Sequence, residues 1–309
     1  MTERGDEGRP LSPWPTAKTT FVGVIGDPVS HSLSPLLHNA AFAHLGFNWA
    51  YGAFPVQRGD VLAALRGAHA LGFRGLSVTM PHKQAAARAA EQSSEKVEKL
   101  EVANTIVYRA GIAVAENTDG DGLLDDLREH EAFDPAGLTC GVIGAGGTAR
   151  AIVLALYEAG ASAILIVNRS KENAANAALL APGVARVVDA LDLQGASLIV
   201  NATPLGMIGS HLLDTDGIGN TEIGPERGDF SAVFRKDQLV VDSVYFPRET
   251  PFLSQAKTCG ARTRNGVGLL IGQAARQFEL WTGEEAPRAI MWQAVRENAD
   301  EDRSGIPSG

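Results

Sequence analysis

The stretch GLSVTMPHK, Gly75 to Lys83, alternates Leu76, Val78 and Met80 with Ser77 and Thr79, then stops at Pro81, which cannot donate to a ladder. It reads as a strand whose end presents Thr79, His82 and Lys83 together. An ammonium there does proton chemistry if a carboxylate faces it. The segment ENTDGDG offers one in Asp119, ahead of Gly120 and Gly122 at the start of a helix. Opposite Lys83, Asp119 would hold the ammonium and tune its proton affinity, an acid/base pair that needs neither metal nor nucleophile. A hydride transfer to a ketone requires such a pair, because the alkoxide must gain a proton as the hydride arrives. The plainer readings are a solvated lysine and an aspartate that only caps a helix.

Two more polar clusters lie at strand-to-helix junctions, where open α/β sheets bind ligands. In SHSLSP, Ser34 reads as an N-cap with Pro35 at the first helical position, and Ser32, Ser34 and the free backbone N–H groups suit a carboxylate. In VANTIV, Asn104 and Thr105 put an amide in a buried strand, where it needs partners and can offer them to a ligand hydroxyl.

CGVIGAGGTARA sets Gly144, Ala145, Gly146, Gly147, Thr148 and Ala149 between an apolar strand and an apolar helix. This is the dinucleotide cradle: Gly144 for the tight turn, Gly146 for backbone approach to a pyrophosphate, Ala149 for close packing of helix on strand. The next strand ends in Asn168-Arg169-Ser170-Lys171 rather than in an acid. An arginine fork suits a 2′-phosphate, so the cofactor expected is NADP.

These residues need a scaffold. From Phe21 on, short apolar strands alternate with alanine-rich helices, the pattern of an α/β protein with parallel sheets. VANTIVY and GIAVAEN, joined through Arg109-Ala110-Gly111, interrupt that rhythm as a hairpin, and a second α/β series begins at LTCGVIG. The length of 309 residues suggests two domains, and 45% hydrophobic residues suffice for sizeable cores. The longest apolar runs fall short of the ~20 residues that span a bilayer, so no membrane is expected. Residues 1–20, charged and proline-rich, read as a disordered lead-in without an export or import signal, which gives a cytoplasmic expectation. Gly209 to Phe230 reads as a mobile surface loop. Cys140 and Cys259 form no metal or disulfide pattern, and a net charge of -9 without a Lys/Arg block argues against nucleic acid.

Taken in order, SHSLSP, LSVTMPHK, ANT, NTDGDG, GAGGTAR, NRS, VNATPLGM, DSVYFPRETP and NGVGLLIGQAA resemble the shikimate dehydrogenase family from about Phe21 to Trp292. The resemblance implies two domains with a cleft between them: an α/β substrate domain at 21–119, completed by helices at 266–296, a Rossmann NADP domain at 120–265, and a disordered tail at 297–309. It implies reduction of 3-dehydroshikimate to shikimate with NADPH, in the route to chorismate and the aromatic amino acids, by a monomer or homodimer whose lobes close on the nicotinamide. Lys83 and Asp119 match the catalytic pair. Ser32, Ser34 and Tyr245 match the carboxylate site, and Thr79, Asn104 and Gln273 the ring-hydroxyl site. Gly144 to Thr148, Asn168, Arg169, Ser170, Ser243 and Gly266 match the cofactor shell, with Glu95 a lesser member. His82 is expected to help the turn or to lie at the cleft rim. Relatives commonly carry a glycine where LEVANT has Glu101. A quinate or aminoshikimate paralogue keeps much the same residues. A non-catalytic ligand- and NADP-binding regulator would lose the Lys/Asp pair, and SHSLSP with NTDG argues against a folate-linked dehydrogenase.

Overall fold

The structure, a computed structural model, describes residues 15–206 and 229–304, with side chains through residue 298. The expected lead-in up to residue 14, and the expected loop from Gly209 except its last two residues, lie outside the described residues. Packing separates the chain into two units, one running to Thr118 and resuming at Ile271, the other Asp119–Leu270. Asp119 and residues 266–270 thus pack with the second unit, whereas the family resemblance implied the first.

The first unit holds strands β1 (Thr20–Gly26), β2 (Trp49–Pro55), β3 (Gly75–Val78), β4 (Gln92–Ser93), β5 (Thr105–Arg109) and β6 (Ile112–Glu116), in the order β2-β1-β3-β5-β6-β4. Its helices are α1 (Ser34–Leu45), α2 (Val61–Ala70), α3 (Lys83–Ala89) and α4 (Glu95–Leu100). Strand β1 runs parallel to β2 and β3, but β5 is antiparallel to both β3 and β6. The sheet is therefore mixed, not parallel. The cause is local: Ala110 (φ 49°) and Gly111 (φ 81°) make a two-residue turn with both φ positive, too short for a crossover. Strand β3 ends at Val78, two residues sooner than the alternation predicts. Thr79 N–H donates to Ile25 O and Asp27 N–H to Met80 O, each at 3.0 Å, lacing the segment that follows β3 to the end of β1 and the residue after it. Ile25, Leu76, Val78, Ile106 and Ala115 share a core with Val61 and Leu65 of α2, Ala86 of α3 and Val97 of α4.

The second unit has α5 (Asp119–Glu131), α6 (Gly147–Glu158), α7 (Lys171–Ala178) and α8 (Pro251–Thr258) around β7 (Thr139–Ile143), β8 (Ala163–Val167), β9 (Ala185–Val187), β10 (Leu198–Asn201), β11 (Leu239–Asp242) and β12 (Arg262–Arg264). The sheet is all parallel, ordered β12-β11-β10-β7-β8-β9. Read from β9, this is the doubly wound 3-2-1-4-5-6 order, whose ligand crevice opens between β7 and β10. Alternate residues serve two cores: Cys140, Val142, Ile164, Ile166, Leu198 and Val200 on one face, Ile143, Leu165, Val167, Ile199 and Val240 on the other. Burial pushes the Cys140 thiol up to about 12, leaving it a packing residue. Buried Asp126 of α5 accepts a bidentate pair from Arg264 at 3.0 and 2.7 Å, tying α5 to the end of β12.

Helix α9 (Val267–Thr282) carries the chain from the second unit back to the first, where α10 (Arg288–Ser304) follows. The backbone is helical through Ser304, so residues 297–304 of the expected tail are helix, and 305–309 lie outside the described residues. Among the described residues, no helix is long and apolar enough to cross a membrane.

Candidate active site

At the start of α1 the geometry differs from simple capping by Ser34. Leu33 occupies the N-cap position without a side-chain cap, and Ser34 is the first helical residue. Its N–H donates to Ser32 Oγ at 3.3 Å. Ser34 is buried, and its hydroxyl joins that of Tyr51, whose ionisation burial strongly suppresses and the hydrogen bonds of Ser77 and Ser34 partly restore.

The segment after β3 brings Thr79, His82 and Lys83 into one turn, with His82 N–H donating to Thr79 O at 2.9 Å. His82 is 2% exposed and its Nε2 lies 2.6 Å from Val56 O, so the ring is a buried strut that donates to a carbonyl and does not sit at a rim. Lys83 opens α3, is half-buried, and its carbonyl accepts Ala103 N–H at 2.9 Å, which ties it to the residue before Asn104.

Asn104 lies just before β5. Its Oδ1 accepts from Thr118 N–H at 2.9 Å and Thr105 Oγ1 at 2.8 Å. Its Nδ2 donates to Thr118 Oγ1 at 2.9 Å and to Gln273 Oε1 at a long 3.4 Å. Thr118 Oγ1 donates in turn to Gln273 O at 3.1 Å. Asn104 and Gln273 are therefore neighbours despite their separation in sequence. Glu95 is exposed in the first turn of α4 behind the Ser94 cap, and among the described residues no hydrogen bond joins it to another candidate.

In the second unit Asp119 begins α5 and is 5% exposed. It sits inside the helix rather than capping it, and Thr148 Oγ1 donates to its Oδ2 at 3.4 Å, joining it to the glycine loop. Gly144 has φ 117°, where side-chain residues are strained, and an added Cβ would lie 3.1 Å from Ala202 O and Thr203 Cγ2. Gly146, the N-cap position of α6, has nothing within 4 Å of where its Cβ would be. A pyrophosphate would meet open space and the free N–H groups of a helix start, while Ala149 is fully buried in the core behind. The residues present fit a dinucleotide.

At the end of β8, Asn168 Nδ2 donates to Ser170 O at 2.9 Å, and Ser170 Oγ accepts Asn173 N–H at 3.2 Å as the cap of α7. Both side chains shape the turn that leaves Arg169 exposed between them. Lys171 is paired to Asp189 at 2.9 Å; among the described residues Arg169 has no ion pair. Ser243 follows β11 and contacts Gly266 directly: Gly266 N–H donates to Val244 O at 3.0 Å, and any Cβ on Gly266 would collide with Ser243 O. Tyr245, two residues on, is half-buried.

Residues 24–106 match the shikimate dehydrogenase substrate binding domain, 127–203 the shikimate / quinate 5-dehydrogenase domain and 266–296 the shikimate 5′-dehydrogenase C-terminal domain. The shikimate dehydrogenase (NADP(+)) of Moorella thermoacetica is 41% identical over 303 residues, covering 95% of this chain and 98% of that protein. The chain belongs to the shikimate dehydrogenase family. Its fold agrees: a shikimate dehydrogenase solved in complex with NADP+ superposes with a TM-score of 0.81 at 34% identity, covering 94% of this chain and 99% of that one. The enzyme from Thermus thermophilus, solved with NADP(H) and shikimate, gives 0.78 at 31%, covering 90% and 99%.

Several buried polar residues beside the candidates carry no motif signal of their own. Thr118 stands inside NTDGDG but looks like filler until its contacts with Asn104 and Gln273 are seen. Ser77 is a polar residue at a buried strand position, the one signal that marked it. Asp242, beside Ser243, is pushed up to about 6 by burial, against the pull of Thr250 Oγ1 at 2.6 Å, Val244 N–H at 3.0 Å and Asn201 Nδ2 at 2.9 Å.

Proposed function

We propose that this chain is an NADP-dependent shikimate dehydrogenase that reversibly reduces 3-dehydroshikimate to shikimate, supplying the chorismate route. The observation that carries the reading is the match to an NADP(+) shikimate dehydrogenase over 95% of the chain, with the acid/base and cradle residues at their motif positions.

Ser32 and Ser34 take the substrate carboxylate with Tyr245, and Thr79, Asn104 and Gln273 take ring hydroxyls. Lys83 holds the proton that the ketone oxygen gains on becoming an alcohol, and takes it back in the reverse direction; Asp119 is the second member of the pair. The Gly144–Thr148 loop would hold the pyrophosphate, Arg169 the 2′-phosphate, and Ser243 and Gly266 the nicotinamide end. NADP bound there supplies the hydride or receives it. Asn168 and Ser170 support by fixing the turn under Arg169, and Glu95 is at most peripheral. The enzyme acts in the cytoplasm as a monomer or homodimer.

The test is initial velocity with shikimate and with quinate, each with NADP and with NAD, following cofactor reduction. High kcat/KM for shikimate with NADP is the expected result. Preference for quinate or NAD would make the protein a specialised paralogue, and ligand binding without turnover would make it a regulator.

A further inference from the structure

Asp242 closes β11 with its carboxylate fully buried. Donors from the same unit meet both oxygens: Oδ1 accepts from Asn201 Nδ2 at 2.9 Å and from Val244 N–H at 3.0 Å, and Oδ2 accepts from Thr250 Oγ1 at 2.6 Å. These partners come from the end of β10, the turn after β11 and the cap of α8, and none of them is charged. Among the described residues no cation pairs with Asp242, and its hydrogen bonds only partly offset the rise that burial causes.

A buried carboxylate without a counter-ion is costly. Hydrogen bonding alone does not call for one here. An asparagine of the same shape would accept both donors at Oδ1 and give its NH₂ to Thr250 Oγ1, with no ion to desolvate. What the carboxylate adds is a negative potential in a low-dielectric surround. That potential lies beside the nicotinamide end, because Ser243 follows Asp242 directly and Ser243 O lies against Gly266. The nicotinamide ring is positive in NADP+ and neutral in NADPH, so the oxidised ring is the cation that the reaction brings there.

We propose that Asp242 is a buried counter-charge for the oxidised nicotinamide, favouring NADP+ over NADPH through its field rather than by contact. This rests on the assignment of Ser243 and Gly266 to the nicotinamide end. When the ketone carbon gains the hydride and its oxygen the Lys83 proton, the ring becomes positive, and the same field favours that change.

The experiment measures the affinities of NADP+ and NADPH by calorimetry at pH 8 for wild type, Asp242→Asn and Thr250→Val, the last of which removes one donor but keeps the charge. In Asp242→Asn the ratio of Kd for NADP+ to Kd for NADPH should rise about three- to tenfold, and in Thr250→Val it should stay within about two-fold of wild type. Equal weakening of both forms, the mark of a merely structural carboxylate, overturns the proposal, as does no change. A second test uses wild type alone. At pH 6 the binding of NADP+ should release a fraction of a proton more than the binding of NADPH, because the ring's charge favours the ionised carboxylate, while the 2′-phosphate is common to both. Calorimetry in two buffers of different ionisation heat reads the difference, and equal release overturns the proposal. Wild type that binds neither form would sink the cofactor reading itself; with both bound, an unshifted ratio sinks this proposal alone.

Discussion

Lys83 and Arg169 are the two residues on which the chemistry and the choice of cofactor turn. Lys83 is half-buried, and its backbone is fixed to Ala103. Lys83→Ala is expected to lower kcat about 10²-fold or more with NADP affinity near wild type; kcat and a fluorescence titration of cofactor read the two, and an unchanged kcat removes Lys83 from proton transfer. Arg169 owes its exposure to neighbours with other work, since Asn168 and Ser170 hold the turn and Lys171 is engaged by Asp189. Arg169→Ala should weaken NADP about tenfold or more and NAD much less. Equal weakening of both cofactors would refute the 2′-phosphate role. The motif spacing identified Arg169 directly, but the internal partners of its neighbours came only with the fold.

Among the elements, α4 ends in the left-handed conformation at Glu101, φ 55°, the C-terminal position that favours glycine. A glycine would hold this conformation without a Cβ penalty. Glu101→Gly should stabilise the protein by about 0.5–1 kcal/mol by removing the Cβ penalty, measured by denaturant unfolding; a loss would mean that the contacts of Glu101 outweigh its backbone strain. The long elements were legible because their periodicity is strong: the alternation through β7, β8 and β10 sorts residues to two cores. The short ones were not. Strand β4 is two residues long and flanked by Glu91, which takes Ala113 N–H at 2.6 Å, an arrangement that contacts from β6 specify rather than any local pattern.

Across the whole molecule the two units respond to acid with opposite signs. In the first, His38 is stacked on Tyr51 at 4.4 Å, and burial lowers it from 6.5 to about 3 against the opposing pull of the Gln277 side chain. Below pH 6.5 the unfolded chain therefore takes a proton that the folded unit refuses until about 3. Stability in that window falls by about 1.4 kcal/mol per pH unit for one proton. In the second, Asp242 at about 6 protonates before its unfolded counterpart at 3.8, so its contribution is fully present below 3.8 and is lost as pH rises through 6. Asp126, also raised by burial, has the same sign. Hydrogen exchange resolved by unit at pH 7 and pH 5 should show the first unit weakening relative to the second, and His38→Phe should flatten its response. Matching pH responses in the two units would sink this account.

From residue types and spacing alone came the α/β class, the two-part layout, the dinucleotide cradle, the arginine at the strand end and the positions of Lys83, Asp119, Ser32 and Ser34. Each is a local signal: a turn chemistry, a period of two or a charge at a strand end. Tertiary structure alone decided the polarity of Asn104, the burial of His82, the pairing of Arg264 with Asp126 and the partners by which α9 meets β3 and β5. Those depend on groups up to 200 residues apart, such as Ser77 and Gln277. Buried polar groups take whatever partner the packing brings within 3 Å, and no periodicity records that choice.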